Sequence, residues 1–254
     1  MDFILGEYDE NSEAILEPYM VAPPIEGFPE TAITCYSQKL LRAIMDGREE
    51  DVLCVLNTEE GGTPVFRIRE NGREFALYMS RVGAPACAIQ MEEVISRGAR
   101  KFVMMGSCGV LDSSLETWKI IVPTAAVRDE GVSYHYLPPA EEIEMQPGSV
   151  ELLCRVFEEW GEEYVCGKVW TTDALYRETR AKMQRRREQG CIAVDMECAS
   201  AHAVAQFRGV KLAQFFYAED NLADEVWDGR GLSGGVHREA DRLFGAAAAC
   251  AARL

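Results

Sequence analysis

The chain has 254 residues, 48% of them hydrophobic and 27% charged, the proportions of an ordinary globular protein rather than a disordered or fibrous one. Its 42 acidic and 26 basic side chains leave a net charge of −16, which disfavours nucleic acid and anionic membranes as partners but allows a small anion in one local pocket. The longest uncharged apolar stretch, 243–252, is too short to cross a bilayer, and Met1-Asp2-Phe3 lacks a basic leader, so a cytoplasmic protein is expected.

Residues 1–30 are acidic and carry Pro18, Pro23, Pro24 and Pro29, which remove N–H donors and restrict the backbone; an extended arm is expected, followed by one domain over 31–254. Short β-rich runs follow at 52–56, 64–69 and 74–80, the last two joined by a hairpin turn at Asn71-Gly72. After Gly83-Ala84-Pro85 the apolar residues Cys87, Ala88, Met91, Val94 and Ile95 recur at helical spacing until Gly98. A buried strand is expected at 101–105, running into Gly106-Ser107-Cys108-Gly109, and another at 118–122.

The second half repeats the alternation: helix 149–160, strand 164–171, a basic helix near 180–189, strand 192–196, helix 197–207, strand 211–218 and a terminal helix over about 233–253. Alternating helices and strands predict an α/β fold, a three-layer α/β/α sandwich around a mixed, largely parallel sheet. Ligands in such sheets bind beyond the carboxyl ends of the strands, which directs attention to Gly106-Ser107, residues 171–176, Asp195 to Glu197 and Glu219-Asp220.

The nine cysteines form no C-x-x-C pair and read as reduced core thiols, and His135, His202 and His237 have no zinc-ligand spacing. Arg185-Arg186-Arg187 reads as a solvated helix face, and Tyr134-His135-Tyr136 as a loop cluster after Arg128-Asp129-Glu130-Gly131. Cys108 has no neighbouring base in sequence and is not taken as a nucleophile.

Asp195-Met196-Glu197-Cys198-Ala199 places two carboxylates two residues apart where an apolar strand gives way to an Ala-rich helix. One reading is helix capping; the other is a carboxylate that accepts both hydroxyls of a vicinal diol, with Met196 packed on the sugar. Together with Gly106-Ser107-Cys108-Gly109 and Arg128-Asp129-Glu130-Gly131, this segment resembles the nucleoside phosphorylase superfamily of purine nucleoside phosphorylases, uridine phosphorylases and nucleosidases, from about residue 33 to the C-terminus.

The resemblance implies that Glu197, with Met196 and Asp195, binds the ribose, and that Asp220 is the catalytic acid protonating the leaving base. It places Leu175 where the base is usually stacked on a phenylalanine, with Tyr176 and Arg180 as neighbouring base contacts. For phosphate it leaves Ser107 and Gly83, with Arg81, Lys39 and Arg42 as replacement cations. The glycine-rich turn expected at Thr34 to Lys39 is absent and Met104 stands where an arginine is expected.

The implied activity is phosphorolysis of a nucleoside to free base and ribose 1-phosphate, purine favoured over uridine, with inorganic phosphate as co-substrate and no metal or organic cofactor. Hydrolysis by water, and nucleoside binding or storage without turnover, remain open as alternatives. The same resemblance, with the arm, implies a homo-oligomer, a dimer or hexamer.

Overall fold

A computed structural model describes every residue except 1–3, 11, 60, 231 and 233. Positions 1–3 and 11 of the expected arm, and Ser233 at the expected start of the last helix, lie outside the described residues.

The first thirty residues are not extended throughout: Ile4–Gly6 is a 3-10 turn, and α1, Pro18–Val21, uses Pro18 in its first turn, where no N–H is needed. The segment is tied across α3 (Ala84–Arg97). Ile25 N–H donates to Arg97 O at 3.0 Å and the Ser96 hydroxyl to Ala22 O at 2.7 Å.

β1, Thr31–Cys35, is followed by α2, Gln38–Met45, whose N-cap Ser37 accepts the N–H of Leu40. The sequence pattern had marked neither. β2 (Asp51–Thr58), β3 (Gly61–Glu70) and β4 (Arg73–Met79) form an antiparallel meander. Asn71 and Gly72 both have positive φ, 50° and 75°, as a two-residue type I′ hairpin demands.

α3 leads to β5, Lys101–Val110, and then β6, Ile120–Asp129, both longer than expected. β7 (Glu142–Glu144), α4 (Pro147–Trp160), β8 (Tyr164–Thr172), α5 (Arg180–Glu188), β9 (Cys191–Asp195), α6 (Cys198–Arg208), β10 (Lys211–Asn221) and α7 (Val236–Ala251) complete the chain.

The strands run in the order β10-β6-β8-β9-β5-β1-β4-β3-β2, and β10 also pairs with β5, so five strands close into a ring from which the rest of the sheet extends. β5 is the junction. Its first half pairs β1 on one edge, its last two residues pair β9 on that edge, and β10 covers the other edge. Helices cover both faces: α3 and α6 pack over one through Met91, Val94, Val204 and Leu212, and α2, α4 and α7 over the other through Leu40, Phe157, Phe215 and Phe244. Parallel pairs (β1–β4, β1–β5, β5–β10, β6–β8, β8–β9) are joined with antiparallel ones both inside the ring (β6–β10, β5–β9) and at the margins (β2–β3, β3–β4, β6–β7), so the sheet is mixed.

All nine cysteines are free, but they are not all core thiols: Cys54 and Cys154 are half-buried and Cys166 is exposed. Nor is the basic helix wholly solvated, because Arg186 turns inward over the Trp170 ring, 5.6 Å from its centroid.

Candidate active site

A cavity of about 660 Å³ opens at the carboxyl ends of β5, β9 and β10. This volume suits a nucleoside-sized ligand.

The β9–α6 turn forms one wall of it. Asp195 accepts the Thr171 hydroxyl at 2.7 Å through Oδ1, and the N–H groups of Glu197 and Cys198 at 2.7 and 2.6 Å through Oδ2. Thr171 Oγ1 in turn accepts the N–H of Ala199 at 3.0 Å. The first N–H groups of α6, which no helical carbonyl can reach, are thereby satisfied by two buried side chains. The expectation of a ribose ligand at Asp195 thus meets a carboxylate engaged through both oxygens, whose observed task is capping.

Glu197 is left facing the cavity, 6% exposed. One oxygen accepts the N–H of Gly83 at 2.6 Å. Gly83 precedes α3 with φ of 100°, a conformation that suits glycine and aims its N–H at the carboxylate. Burial first, and then the charge of Asp195, push the Glu197 carboxyl up to about 8, against the opposing pull of the Gly83 bond. Burial likewise pushes Asp195 up to about 6, and the hydrogen bonds it accepts limit the rise. Met196 lines the cavity between them.

Glu219 and Asp220 both line the cavity although they are consecutive in a strand. The cause is a bulge. β10 advances from Ala218 to Asn221 while its partner β5 advances only from Cys108 to Val110, so one extra residue is accommodated and the side chains are re-aimed. Asp220 Oδ2 accepts the indole N–H of Trp227 at 2.7 Å. Gly109 lies beneath: a Cβ there would sit 2.5 Å from Leu222 Cδ1 and 3.1 Å from Asp220 Oδ1.

Ser107 lines the cavity, opposite Tyr217 in register. Lys39 and Arg81 are not among the lining residues; Lys39 is exposed on α2, and Arg81 Nη2 donates to Gly61 O at 2.7 Å. Arg42, too, is absent from the lining. Met104 is fully buried, and its sulfur accepts the Tyr36 hydroxyl at 3.4 Å, filling with a sulfur contact the place where the resemblance expects a cation.

Leu175 and Tyr176 line the mouth, but Tyr176 is 95% exposed and stacks on no ring among the described residues. Arg180 is the one cation lining the cavity among the described residues. Its guanidinium donates to the carbonyls of Leu222, Asp224 and Glu225, tying down the turn after β10. Burial raises the Cys108 thiol well above its ordinary range, in keeping with an inert residue. Arg128 lies apart, bonded to Ser133 and to the carbonyls of Leu137 and Pro138, and supplies no cation here.

Tyr36, Val82, Glu178, Leu222 and Trp227 also line the cavity, with Met183, Val194 and Leu232, and carried no sequence signal as site residues. No group of three or more His, Cys, Asp or Glu placed to hold a metal occurs among the described residues. Nor is any helix there long and apolar enough to cross a membrane.

The sequence profile of the phosphorylase superfamily matches residues 30–253. The chain belongs to that superfamily.

Among relatives of this superfamily member is a guanosine phosphorylase of Halorubrum lacusprofundi, 26% identical over 60% of this chain and 63% of that protein. The match therefore spans just under two thirds of that relative's length. A DeoD-type purine nucleoside phosphorylase of Bacillus cytotoxicus is 24% identical over 68% of this chain and 74% of its own. A solved purine nucleoside phosphorylase from Toxoplasma gondii, in complex with immucillin-H, superposes with a TM-score of 0.75 at 21% identity, covering 90% of this chain and 92% of that one. That likeness establishes the fold.

Proposed function

We propose that the protein cleaves the N-glycosidic bond of a purine nucleoside by phosphorolysis, releasing the base and ribose 1-phosphate. The observation that carries this reading is that Glu197 and Met196, from the end of β9, and Asp220, from the bulge of β10, line one cavity with Ser107.

Cleavage builds positive charge on the sugar and negative charge on the departing base. Glu197 accepts the ribose hydroxyls and fixes the sugar, and once ionised, as its raised carboxyl becomes toward pH 8, its negative charge favours the cationic transition state. Asp220 carries the proton to the base, and the Trp227 indole holds its carboxyl in orientation. Ser107 and neighbouring N–H groups take the phosphate, which acts as co-substrate; no metal or organic cofactor enters this scheme.

The chain acts as a homo-oligomer in this reading. Val82, Tyr176, Val226, Trp227 and Leu232 form an exposed apolar group at or beside the cavity mouth, the kind of surface a second copy would cover, bringing further cations to the phosphate end.

A second reading, hydrolysis, is favoured by one observation. Among the described residues the lining holds five carboxyl groups, Glu178, Asp195, Glu197, Glu219 and Asp220, against one cation, Arg180, and that cation is engaged by backbone carbonyls. Such a field disfavours a phosphate dianion and leaves water as acceptor. Base release from inosine and guanosine, followed with and without phosphate, separates the two. Phosphorolysis requires phosphate and yields ribose 1-phosphate, hydrolysis yields ribose in its absence, and tight binding without release would leave a storage protein.

A further inference from the structure

Gln90, on the buried side of α3, is 1% exposed and is not among the residues lining the cavity, yet both ends of its amide are engaged. Oε1 accepts the backbone N–H of Arg81 at 2.7 Å, and Nε2 donates to the Thr63 hydroxyl of β3 at 3.2 Å. Enclosing an amide is costly unless donor and acceptor are both satisfied, and here both are. The bond to Arg81 takes over where the sheet stops. β4 ends at Met79, the N–H of Ser80 still reaches Cys35 O at 2.8 Å, and the next N–H, that of Arg81, is met by Gln90 instead. The Ser80 hydroxyl donates to Arg81 O at 3.2 Å, and the Arg81 guanidinium is anchored on Gly61 O. Downstream, Gly83 O accepts the N–H of Cys87 at 3.0 Å as α3 begins. Only Val82 separates the clamped Arg81 from Gly83, whose N–H meets Glu197 Oε1 at 2.6 Å. Glycine is the most permissive residue in the backbone, so the aim of that N–H depends on what fixes its two flanks.

Taking the nucleoside reading above as its premise, we infer that Gln90 is a positioning residue for the reaction, acting through Arg81 to hold the Gly83 N–H on the carboxyl group that grips the sugar. An N–H donated to a carboxylate favours its ionised form. Burial, then the charge of Asp195, push Glu197 up to about 8, and the Gly83 bond is the foremost opposing pull. Slackening that bond raises the carboxyl further, so less of the charged clamp exists at neutral pH. The titratable groups around Glu197 are Asp195 and Cys198 on its own turn, Asp173 after β8, Tyr36 after β1 and Cys87 on α3. Across the cavity stand Glu178, Arg180, Glu219 and Asp220. A substitution at Gln90 alters none of these.

The test follows kcat/KM for inosine and guanosine from pH 6 to pH 10 in the full-length protein and three variants. Gln90→Met keeps the length of the side chain and loses both bonds, Thr63→Val removes only the tether on the amide, and Val94→Ala trims a buried α3 residue that has no part in the loop. Gln90→Met should move the acidic limb of the profile up by about half a pH unit or more, the worth of a weakened neutral hydrogen bond, so that activity falls about threefold or more at pH 7 and converges on native toward pH 10. Thr63→Val should move it less and in the same direction. Val94→Ala should lower stability and leave the limb in place. A limb unmoved in Gln90→Met, or moved as far by Val94→Ala, overturns the inference; if Gln90→Met does not fold, an unmoved limb in Thr63→Val overturns it equally. If no nucleoside is turned over, the proposed function fails, and carbon-13 carboxyl titration of the ligand-free protein decides, with Glu197→Gln identifying the resonance. The Glu197 midpoint should rise in Gln90→Met and Thr63→Val but not in Val94→Ala, and equal midpoints in all of them refute the role of Gln90.

Discussion

The backbone N–H of Gly83 donates to Oε1 of Glu197 at 2.6 Å across 114 residues of sequence, joining the start of α3 to the turn that opens α6. The bond occupies one carboxylate lone pair and orients the rest toward the cavity, so the proposed sugar clamp and the loop before α3 are one unit. Glu197→Gln keeps the shape but gives up the charge and one acceptor. It should lower kcat/KM for the preferred nucleoside by about 10- to 100-fold, the value of a hydrogen bond to a charged group. Steady-state kinetics check this, and an unchanged kcat/KM would remove Glu197 from the site.

The same burial makes stability depend on pH. The carboxyls of Asp195, Glu178 and Glu197 are raised to about 6, 7 and 8, so between the unfolded values and these the native state holds more protons than the unfolded state. Their stabilising contribution is full below the unfolded carboxyl range and is lost as pH climbs through the folded values. Thermal unfolding of the ligand-free protein should therefore show Tm falling from pH 5.5 to pH 8.5. Glu197→Gln should flatten the slope.

Gly109→Ala tests how closely β5 must approach Asp220, the proposed proton donor. The new Cβ would lie 2.5 Å from Leu222 Cδ1 and 3.1 Å from both Asp220 Oδ1 and Val194 Cγ1. The strand is locked by neighbours, so Leu222 and Asp220 must yield. We expect kcat to fall by about tenfold or more, as displacement of a catalytic group does, with KM changed far less.

Arg180→Ala should act through its carbonyl partners. Releasing the 222–225 turn frees Leu222 beside Asp220, so kcat should fall together with faster amide exchange across 222–228, a signature that mere loss of a cation from the pocket would not give.

Cys154 and Cys166 place their sulfurs 3.6 Å apart on α4 and β8. Excess oxidised glutathione should join them, each protein disulfide releasing two molecules of glutathione, and peptide mapping would locate the link. A crosslink closing so short a loop stabilises by about 3 kcal/mol in the chain-entropy account, so Tm should rise and fall back on reduction. Glutathione attached to Cys166 alone would contradict the pairing.

The fold was legible where burial wrote itself into apolar runs, as in Phe102 to Met105 or Ile192 to Val194, and where Gly98 and Asn71-Gly72 punctuated them. β1 was hidden because Thr31 to Cys35 follows a proline-rich stretch and is too short to announce itself. β5 outran expectation because glycines at 106 and 109, ordinarily strand breakers, serve there as places of close approach to Tyr36 and Leu222. In the site, the strand-end residues Glu197, Met196, Ser107 and Asp220 were nameable because motifs sit where strands stop. Glu178 and Trp227 were not, since only the turns after β8 and β10 bring them in. Lys39 and Arg81, chosen for their charge, show that a cation near a motif in sequence need not face its cavity.

The pairing of β10 with β5 has a consequence for how the protein comes into being. Until residues near 221 have left the ribosome, the Gly106 to Gly109 segment lacks its partner along one whole edge and Asp220 is missing, so the cavity is unfinished for most of the chain's synthesis. Assembly must wait for a contact between strands about 110 residues apart, a long loop to close, which sets folding late and slow relative to the local β2 to β4 meander.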